Sequence, residues 1–312
     1  VMVQNCAARV SSYGLSAPAD IKGKVLESHL DGMQMYIDGR EIWVRLAGGF
    51  NASNLLAVYG AALACGLEKE DALALLSRQR PVRGRFETLE IGEGITAIVD
   101  YAHTPDALEN VLASIRECTP GRLICVFGCG GNREKAKRPQ MGDIAGRYSD
   151  LVVITSDNPR NEPPIEIIDQ ILGGTKRSMP QAFTPSDFNE NVPIKGYVVE
   201  PDRKSAITLA IKVSRPNDAI LIAGKGNEPY QIIGNKTISF DDRKEAKEAL
   251  STLNLKSFGP KTRSNPKVLS ENPKPVNADL IPWCVAEIID ATGGQLFCGD
   301  PTHTFTGVSI DF

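Results

Sequence analysis

Four short stretches of this chain carry side chains that can do chemistry together. They are Asp100-Tyr101-Ala102-His103-Thr104-Pro105-Asp106, Gly128-Cys129-Gly130-Gly131-Asn132-Arg133, Ser156-Asp157-Asn158-Pro159-Arg160 and Gly224-Lys225-Gly226-Asn227-Glu228. Each mixes small, backbone-exposing residues with charged or hydrogen-bonding ones. Arg133 and Arg160 can each grip a carboxylate through two parallel N–H bonds, because a guanidinium is planar and always charged. Asp157 and Glu228 can pair with ammonium groups. A zwitterionic amino acid with more than one carboxylate satisfies the whole set. Any one stretch alone also reads as a solvated turn. Four at equivalent places point to function, because binding residues gather on loops that a rigid scaffold holds.

The equivalent places are strand ends. Apolar runs at 97–99, 123–127, 151–155, 197–199 and 219–223 read as strands, and each of the four stretches follows one of them. Helical patterns fit 105–118, 139–148, 164–172, 202–213 and 242–250. Pro105 after Thr104 suits a capped first turn, where the missing N–H costs nothing. Strands alternating with helices predict an α/β fold: a Rossmann-like, mostly parallel sheet with helices on both faces. Ligands of such sheets bind beyond the carboxyl ends of the strands. Residues 230–233 and 236–240 around Gly234-Asn235 read as a hairpin.

Upstream of about residue 81 the texture differs. Met33–Ile37 and Ile42–Leu46 alternate like strands of a mixed sheet. Asn51 or Ser53 can cap the helix that follows, Gly66 can end it, and a second helix fits 68–79. Residues 255–280 are rich in Pro, Lys, Ser and Asn, which is linker composition.

Composition narrows the function classes. A length of 312 residues suggests about two domains. With 42% apolar residues, 23% charged residues and a net charge of −3, the chain is ordinary globular protein with no electrostatic case for nucleic acid. Arg133, Lys135, Lys137 and Arg138 cluster, which points to a local anion site. The seven cysteines form no Cys-x-x-Cys pair and there are three histidines, which argues against a zinc centre or a disulfide framework and for a reducing, cytoplasmic setting. No apolar run reaches the ~20 residues of a membrane span. Val1-Met2-Val3-Gln4-Asn5 carries no secretory pattern. No Gly-x-x-x-x-Gly-Lys-Ser/Thr occurs, and Gly224-Lys225-Gly226 lacks the hydroxyl residue that would hold Mg²⁺.

Six motifs occur in one order: Gly49-Phe50-Asn51, Gly84-Arg85-Phe86-Glu87, Asp100 to Leu108, Lys137-Arg138-Pro139-x-Met141-Gly142, Asp157-Asn158-Pro159-Arg160 and Gly224-Lys225-Gly226-x-Glu228. Over roughly residues 1–250 the set resembles the Mur ligase family. Within it the set is most similar to the MurE-type branch, which adds meso-diaminopimelate to UDP-N-acetylmuramoyl-L-alanyl-D-glutamate in peptidoglycan biosynthesis. The resemblance implies that residues 1–80 are the end of a central P-loop-type ATPase domain and 81–254 an amino-acid-binding domain. It also implies a UDP-sugar domain, a P-loop and the metal-holding residues upstream of Val1. The chain is therefore expected to be a fragment, inactive alone, of an ATP- and Mg²⁺-dependent amide ligase that works through an acyl phosphate.

Carried over position by position, the resemblance gives Arg133, Asp157, Asn158, Pro159, Arg160, Gly224 and Glu228 to diaminopimelate. It gives Asn51, Arg85, Asp100 and His103 to the nucleotide, and no metal ligand to this stretch. His103 equally suits a packing role at the helix start, and Asn51 a helix cap. Arg160 is the discriminating residue, because diaminopimelate is lysine with a further carboxylate. An arginine gains charge-assisted bonds of about 1.5–3 kcal/mol with it, and lysine would leave that arginine unpaired. A lysine-adding relative, folylpolyglutamate synthetase and a non-catalytic amino-acid-binding module are the alternatives. Asn227 stands where the family usually has His, and Asn132 and Glu134 stand where aspartates are common. Trp283–Ile289, Gly293-Gly294 and Phe305–Asp311 are similar to the opening of the ligase that adds D-alanyl-D-alanine. Residues 281–312 are thus expected to be the truncated start of a second ligase, or else an unrelated extension.

Overall fold

The computed structural model describes residues 10–16, 18–90, 94–189 and 195–252. The expected linker at 255–280 and the expected second ligase at 281–312 lie outside the described residues.

The upstream region is a small mixed sheet covered by two helices. β1 (Tyr13–Gly14), β2 (Ile21–His29), β3 (Gly32–Ile37) and β4 (Arg40–Val44) lie side by side in chain order. β1 pairs parallel to β2, and the other pairs are antiparallel. In β3, alternate residues Met33, Met35 and Ile37 are buried while Tyr36 faces solvent, which is the period-two pattern of a half-covered sheet. Their buried face meets Leu55, Leu56 and Tyr59 of α1 (Gly49–Ala64) and Leu73 and Leu76 of α2 (Lys69–Arg78). α1 begins earlier than expected. Gly48 is its cap, with φ 88° in the left-handed region, and Asn51 lies within the first turn. The Asn51 amide donates back to the Ala47 carbonyl at 2.6 Å instead of capping the helix. Gly66 does end the helix, at φ 90°.

The second region follows in the order β5 (Glu87–Glu90), β6 (Thr96–Asp100), α3 (Pro105–Cys118), β7 (Leu123–Phe127), α4 (Lys137–Tyr148), β8 (Leu151–Ile154) and α5 (Pro164–Ser178). It continues through β9 (Ala182–Phe183), β10 (Gly196–Val199), α6 (Arg203–Val213), β11 (Ala219–Ala223), β12 (Tyr230–Ile233), β13 (Lys236–Ser239) and α7 (Asp242–Thr252). Seven strands form one sheet ordered β5-β6-β11-β7-β8-β10-β9, parallel throughout except for the β5–β6 edge pair. Its central strands are apolar on both faces. Ile98, Cys125, Val152 and Leu221 pack against α3, α4 and α5, while Val99, Val126, Val153 and Ile222 pack against α6 and α7. Burial on both faces is why these strands read as unbroken apolar runs.

Two features departed from the sequence reading. α5 continues past residue 172 to Ser178, through Gly173-Gly174. A Cβ on Gly174 would lie 1.7 Å from the Pro139 carbonyl oxygen, and one on Gly142 2.2 Å from that of Ile171. The helix keeps these glycines, at about 1 kcal/mol each in propensity, because they let α4 and α5 touch backbone to backbone. The edge strands β5 and β9 carried no legible signal, since each is short and borders only one neighbour.

β11, the last strand of the sheet in sequence, lies between the first two parallel strands, β6 and β7. The helices after β6 and β7 cover one face, and α7, which follows β11, covers the other. Adjacent strands that send the chain to opposite faces leave a crevice at their carboxyl ends. The β12–β13 hairpin closes one side of it: Arg160 N donates to Ile232 O at 3.1 Å and Gly234 N to Arg160 O at 2.7 Å.

Candidate functional site

The loop after β8 supplies Asp157 and Asn158, both buried. Asp157 Oδ1 accepts the Asn158 N–H at 2.6 Å, while Oδ2 is buried with no hydrogen-bond partner. Gly224, at φ 112°, faces it across the crevice: a Cβ there would lie 2.8 Å from Oδ2. The bare glycine gives this carboxylate the room it occupies. Gln231 donates to the Asp157 carbonyl at 2.6 Å and holds that loop to the hairpin.

Asn158 sits at the centre of a closed network. Its Oδ1 accepts from Lys225 Nζ at 3.0 Å and from Ile232 N at 2.9 Å, and its Nδ2 donates to Glu228 Oε2 at 2.9 Å. Lys225 Nζ also lies 3.4 Å from Glu228 Oε2 and 5.7 Å from the centre of the Tyr230 ring. The Lys225 side chain is fully buried. Glu228 Oε2 is therefore already held within the protein, while the carboxylate stays part-exposed.

Arg133 and Arg160 converge on Gly130. A Cβ built there would lie 2.8 Å from Arg160 Nη1 and 3.6 Å from Arg133 Cγ. Arg160 has a left-handed backbone, φ 52°, and its Nη1 donates to Gly131 O at 2.9 Å. Pro159 shapes this loop through its backbone: its carbonyl accepts from Glu162 N at 3.0 Å and presses on Gly131. The anion site expected from Arg133, Lys135, Lys137 and Arg138 is mostly spent internally. Fully buried Arg138 forks onto Glu162 at 2.8 and 3.0 Å and donates to Gly130 O at 3.1 Å. Lys135 lies 3.7 Å from Glu162, and Lys137 donates to His103 O at 2.7 Å. Arg138 and the Asn132 N–H hold the Glu162 carboxyl down at about 2. Arg133 is exposed and, among the described residues, has no ion-pair partner.

The second group of residues meets at the loop after β6. The Arg85 guanidinium lies 4.7 Å above the Tyr101 ring, and the His103 ring stands edge-on to Tyr101 at 4.7 Å. His103 Nδ1 is 2.9 Å from the Tyr101 carbonyl. Asp100 is turned inward: its two oxygens accept from Phe86 N and Ala102 N, each at 2.7 Å. Burial raises its pKa, and those N–H bonds oppose the rise. Asp100 therefore ties the Gly84–Phe86 loop to β6. The Phe50 and Phe86 rings, 6.0 Å apart, join α1 to the same loop, and Asn51 follows Phe50. Gly84 packs onto the next loop, since a Cβ on it would fall 2.1 Å from Asn227 N.

Sequence reasoning missed Lys225, Gln231 and Arg203. Arg203 is fully buried, pairs with Asp242 at 2.7 Å, and donates to Ala223 O at 2.9 Å and Ser156 O at 3.4 Å. It grips the residues just before Gly224 and Asp157. The usable signal was Lys225 between two glycines. Nothing marked Arg203 apart from a surface helix residue.

Parallel strands, helices on both faces and a charged rim at the carboxyl ends define a Rossmann-like α/β domain. Residues 84–226 match the family described as "Mur ligase, glutamate ligase domain", and the chain belongs to the Mur ligase family through that domain. It is 48% identical over 254 residues to a UDP-N-acetylmuramoyl-L-alanyl-D-glutamate–2,6-diaminopimelate ligase from Parabacteroides distasonis, covering 81% of this chain and 49% of that protein. It is 49% identical over 245 residues to the protein of the same name from Phocaeicola vulgatus, covering 78% and 48%. A solved structure of a ligase with that name superposes with a TM-score of 0.53 at 31% identity, covering 78% of this chain and 48% of the other. The chain spans about half the length of these relatives. No helix among the described residues is long and apolar enough to cross a membrane.

Proposed function

We propose that this chain is the amino-acid-binding half of an ATP-dependent amide ligase that adds meso-diaminopimelate to UDP-N-acetylmuramoyl-L-alanyl-D-glutamate in the cytoplasm, as a step of peptidoglycan synthesis. One observation carries the reading. The Arg160 guanidinium and the stem of Arg133 meet at Gly130, and the same crevice holds the carboxylates of Asp157 and Glu228. Those are the complements of carboxylates at one end and an ammonium group at another. Residues 1–80 form the end of the ATPase domain in this reading, and 81–254 the amino-acid domain.

ATP supplies the phosphoryl group that activates the D-glutamyl carboxylate. Arg85 stacked on Tyr101, with His103 beside them, offers a charged and aromatic contact to the nucleotide; Asn51 and Asp100 support the same rim from behind. No metal ligand is assigned here, because the resemblance puts the residues that hold Mg²⁺ outside this stretch. The chain's own part is to bind and orient the incoming amino acid so that one neutral amine faces the activated carbonyl. Fixing that geometry is worth more than any single contact, since it converts an encounter into a positioned reaction.

Ligand-observed NMR of meso-diaminopimelate against L-lysine on this chain tests the reading. Selective binding of diaminopimelate, abolished by Arg160→Ala, is the expected result. Equal or better binding of lysine overturns the substrate assignment.

A further inference from the structure

We infer that Lys225 is a positioning residue of the amino-acid site, whose buried charge pins Glu228 Oε2 and locks the Asn158 amide, so that Glu228 meets the ligand's ammonium group in one fixed orientation. The inference rests on the amino-acid reading above.

The backbone forces Lys225 inward. It lies between Gly224 and Gly226, with φ of 112° and 53°. A Cβ on Gly226 would lie 2.6 Å from Gly84 O and 2.8 Å from Tyr101 Cβ, so the loop presses outward against its neighbours at Gly226. Lys225 is thereby fully buried beneath the crevice. A lysine is rarely buried to that degree unless its charge is matched. Here Glu228 matches the charge at 3.4 Å, Asn158 Oδ1 accepts a hydrogen bond from Nζ at 3.0 Å, and the Tyr230 ring faces it at 5.7 Å.

Two consequences follow from the donor inventory. Asn158 Oδ1 accepts from Lys225 and Ile232 N, so its NH₂ must face Glu228, and the amide has one orientation. Glu228 Oε2 then takes both Lys225 Nζ and Asn158 Nδ2, which fixes the carboxylate and leaves Oε1 as its remaining acceptor. Asp157 Oδ2 has no partner but is buried out of solvent reach. Of the two acids at the crevice, the part-exposed Glu228 is the one that presents an accessible oxygen. Without Lys225, Glu228 Oε2 would carry an unmatched charge, the carboxylate would lose its fixed orientation and Asn158 would be released.

The test is a double-mutant cycle on this chain, with meso-diaminopimelate affinity measured by calorimetry and thermal melts run alongside. Lys225→Met should weaken binding by about tenfold or more, because an unmatched charged hydrogen-bond partner is costly. Lys225→Met combined with Glu228→Gln should bind within about threefold of Glu228→Gln alone, a strong coupling for residues in contact. Lys225→Arg should recover part of the loss. Additive losses, or a folded Lys225→Met that binds like wild type, overturn the inference. Should Lys225→Met alone fail to fold, the charge-balanced double variant is expected to fold, and its failure to fold overturns the inference too. If wild type does not bind diaminopimelate, the substrate reading fails. Lys225 is then judged by the side-chain amide resonances of Asn158, which should shift in Lys225→Met and stay sharp in Lys225→Arg; unshifted resonances in Lys225→Met overturn the inference.

Discussion

Gly224 and Asp157 face each other so closely that a single methyl group on Gly224 would sit 2.8 Å from Asp157 Oδ2. The absence of that methyl is what lets the buried carboxylate lie against the β11 loop. Gly224→Ala therefore carries two penalties. It strains a backbone at φ 112°, at about 1–3 kcal/mol, and it pushes Asp157 out of place. We expect a melting temperature lowered by several degrees and diaminopimelate binding lost, measured by differential scanning calorimetry and by titration. Unchanged binding would show that the Gly224–Asp157 packing does not shape the site.

Arg160 joins two functions in one side chain. It faces the crevice beside Gly130, and its Nη1 holds Gly131 O at 2.9 Å. Arg160→Lys keeps a charge but loses the planar fork. Diaminopimelate affinity should drop by roughly ten- to a hundredfold, the value of a charge-assisted pair, while any weak lysine binding stays level. Competition NMR with both amino acids reads the two effects separately.

The Arg138–Glu162 pair predicts an acid limb in stability. The Arg138 fork lowers the Glu162 carboxyl from an ordinary 4.5 to about 2. A depressed carboxyl contributes stability that is present above 4.5 and lost as the pH falls towards 2. Urea denaturation of wild type between pH 5 and pH 2.5 should show stability falling as the pH is lowered. Glu162→Gln should be less stable at pH 5 and flatter over that window. A parallel slope in the variant would assign the limb to other acids.

Arg203 and Asp242 are both fully buried and bonded to each other. Removing one partner strands the other, at about 3–5 kcal/mol. Arg203→Met should lose that much in urea melts, and Arg203→Met with Asp242→Leu should recover much of it. Because Arg203 also holds Ser156 O and Ala223 O, the double variant should regain stability without regaining full ligand affinity.

The sequence by itself determined the strands of the parallel sheet and the loops that follow them. Apolar runs such as Leu123–Phe127 and Ala219–Ala223 are buried on both faces, so every residue in them reports its environment. The loops were legible as small residues beside charges at strand ends, and the ordered motifs named the family. Local patterns could not report what depends on distant backbone. The edge strands β5 and β9 are short and half-covered, and α5 runs through Gly173-Gly174 only because α4 lies against it. The cap of α1 moved to Gly48 because its left-handed backbone, not the Asn51 side chain, starts the turn. Charge partners were likewise a tertiary matter. Glu228 and Asp157 look alike as acids in loops, yet Lys225 pairs with the first, which stays part-exposed, and the second keeps a buried oxygen without a partner. Hydrogen bonds weaken beyond about 3.5 Å, so only the folded arrangement of β8, β11 and the hairpin could decide which acid found a partner.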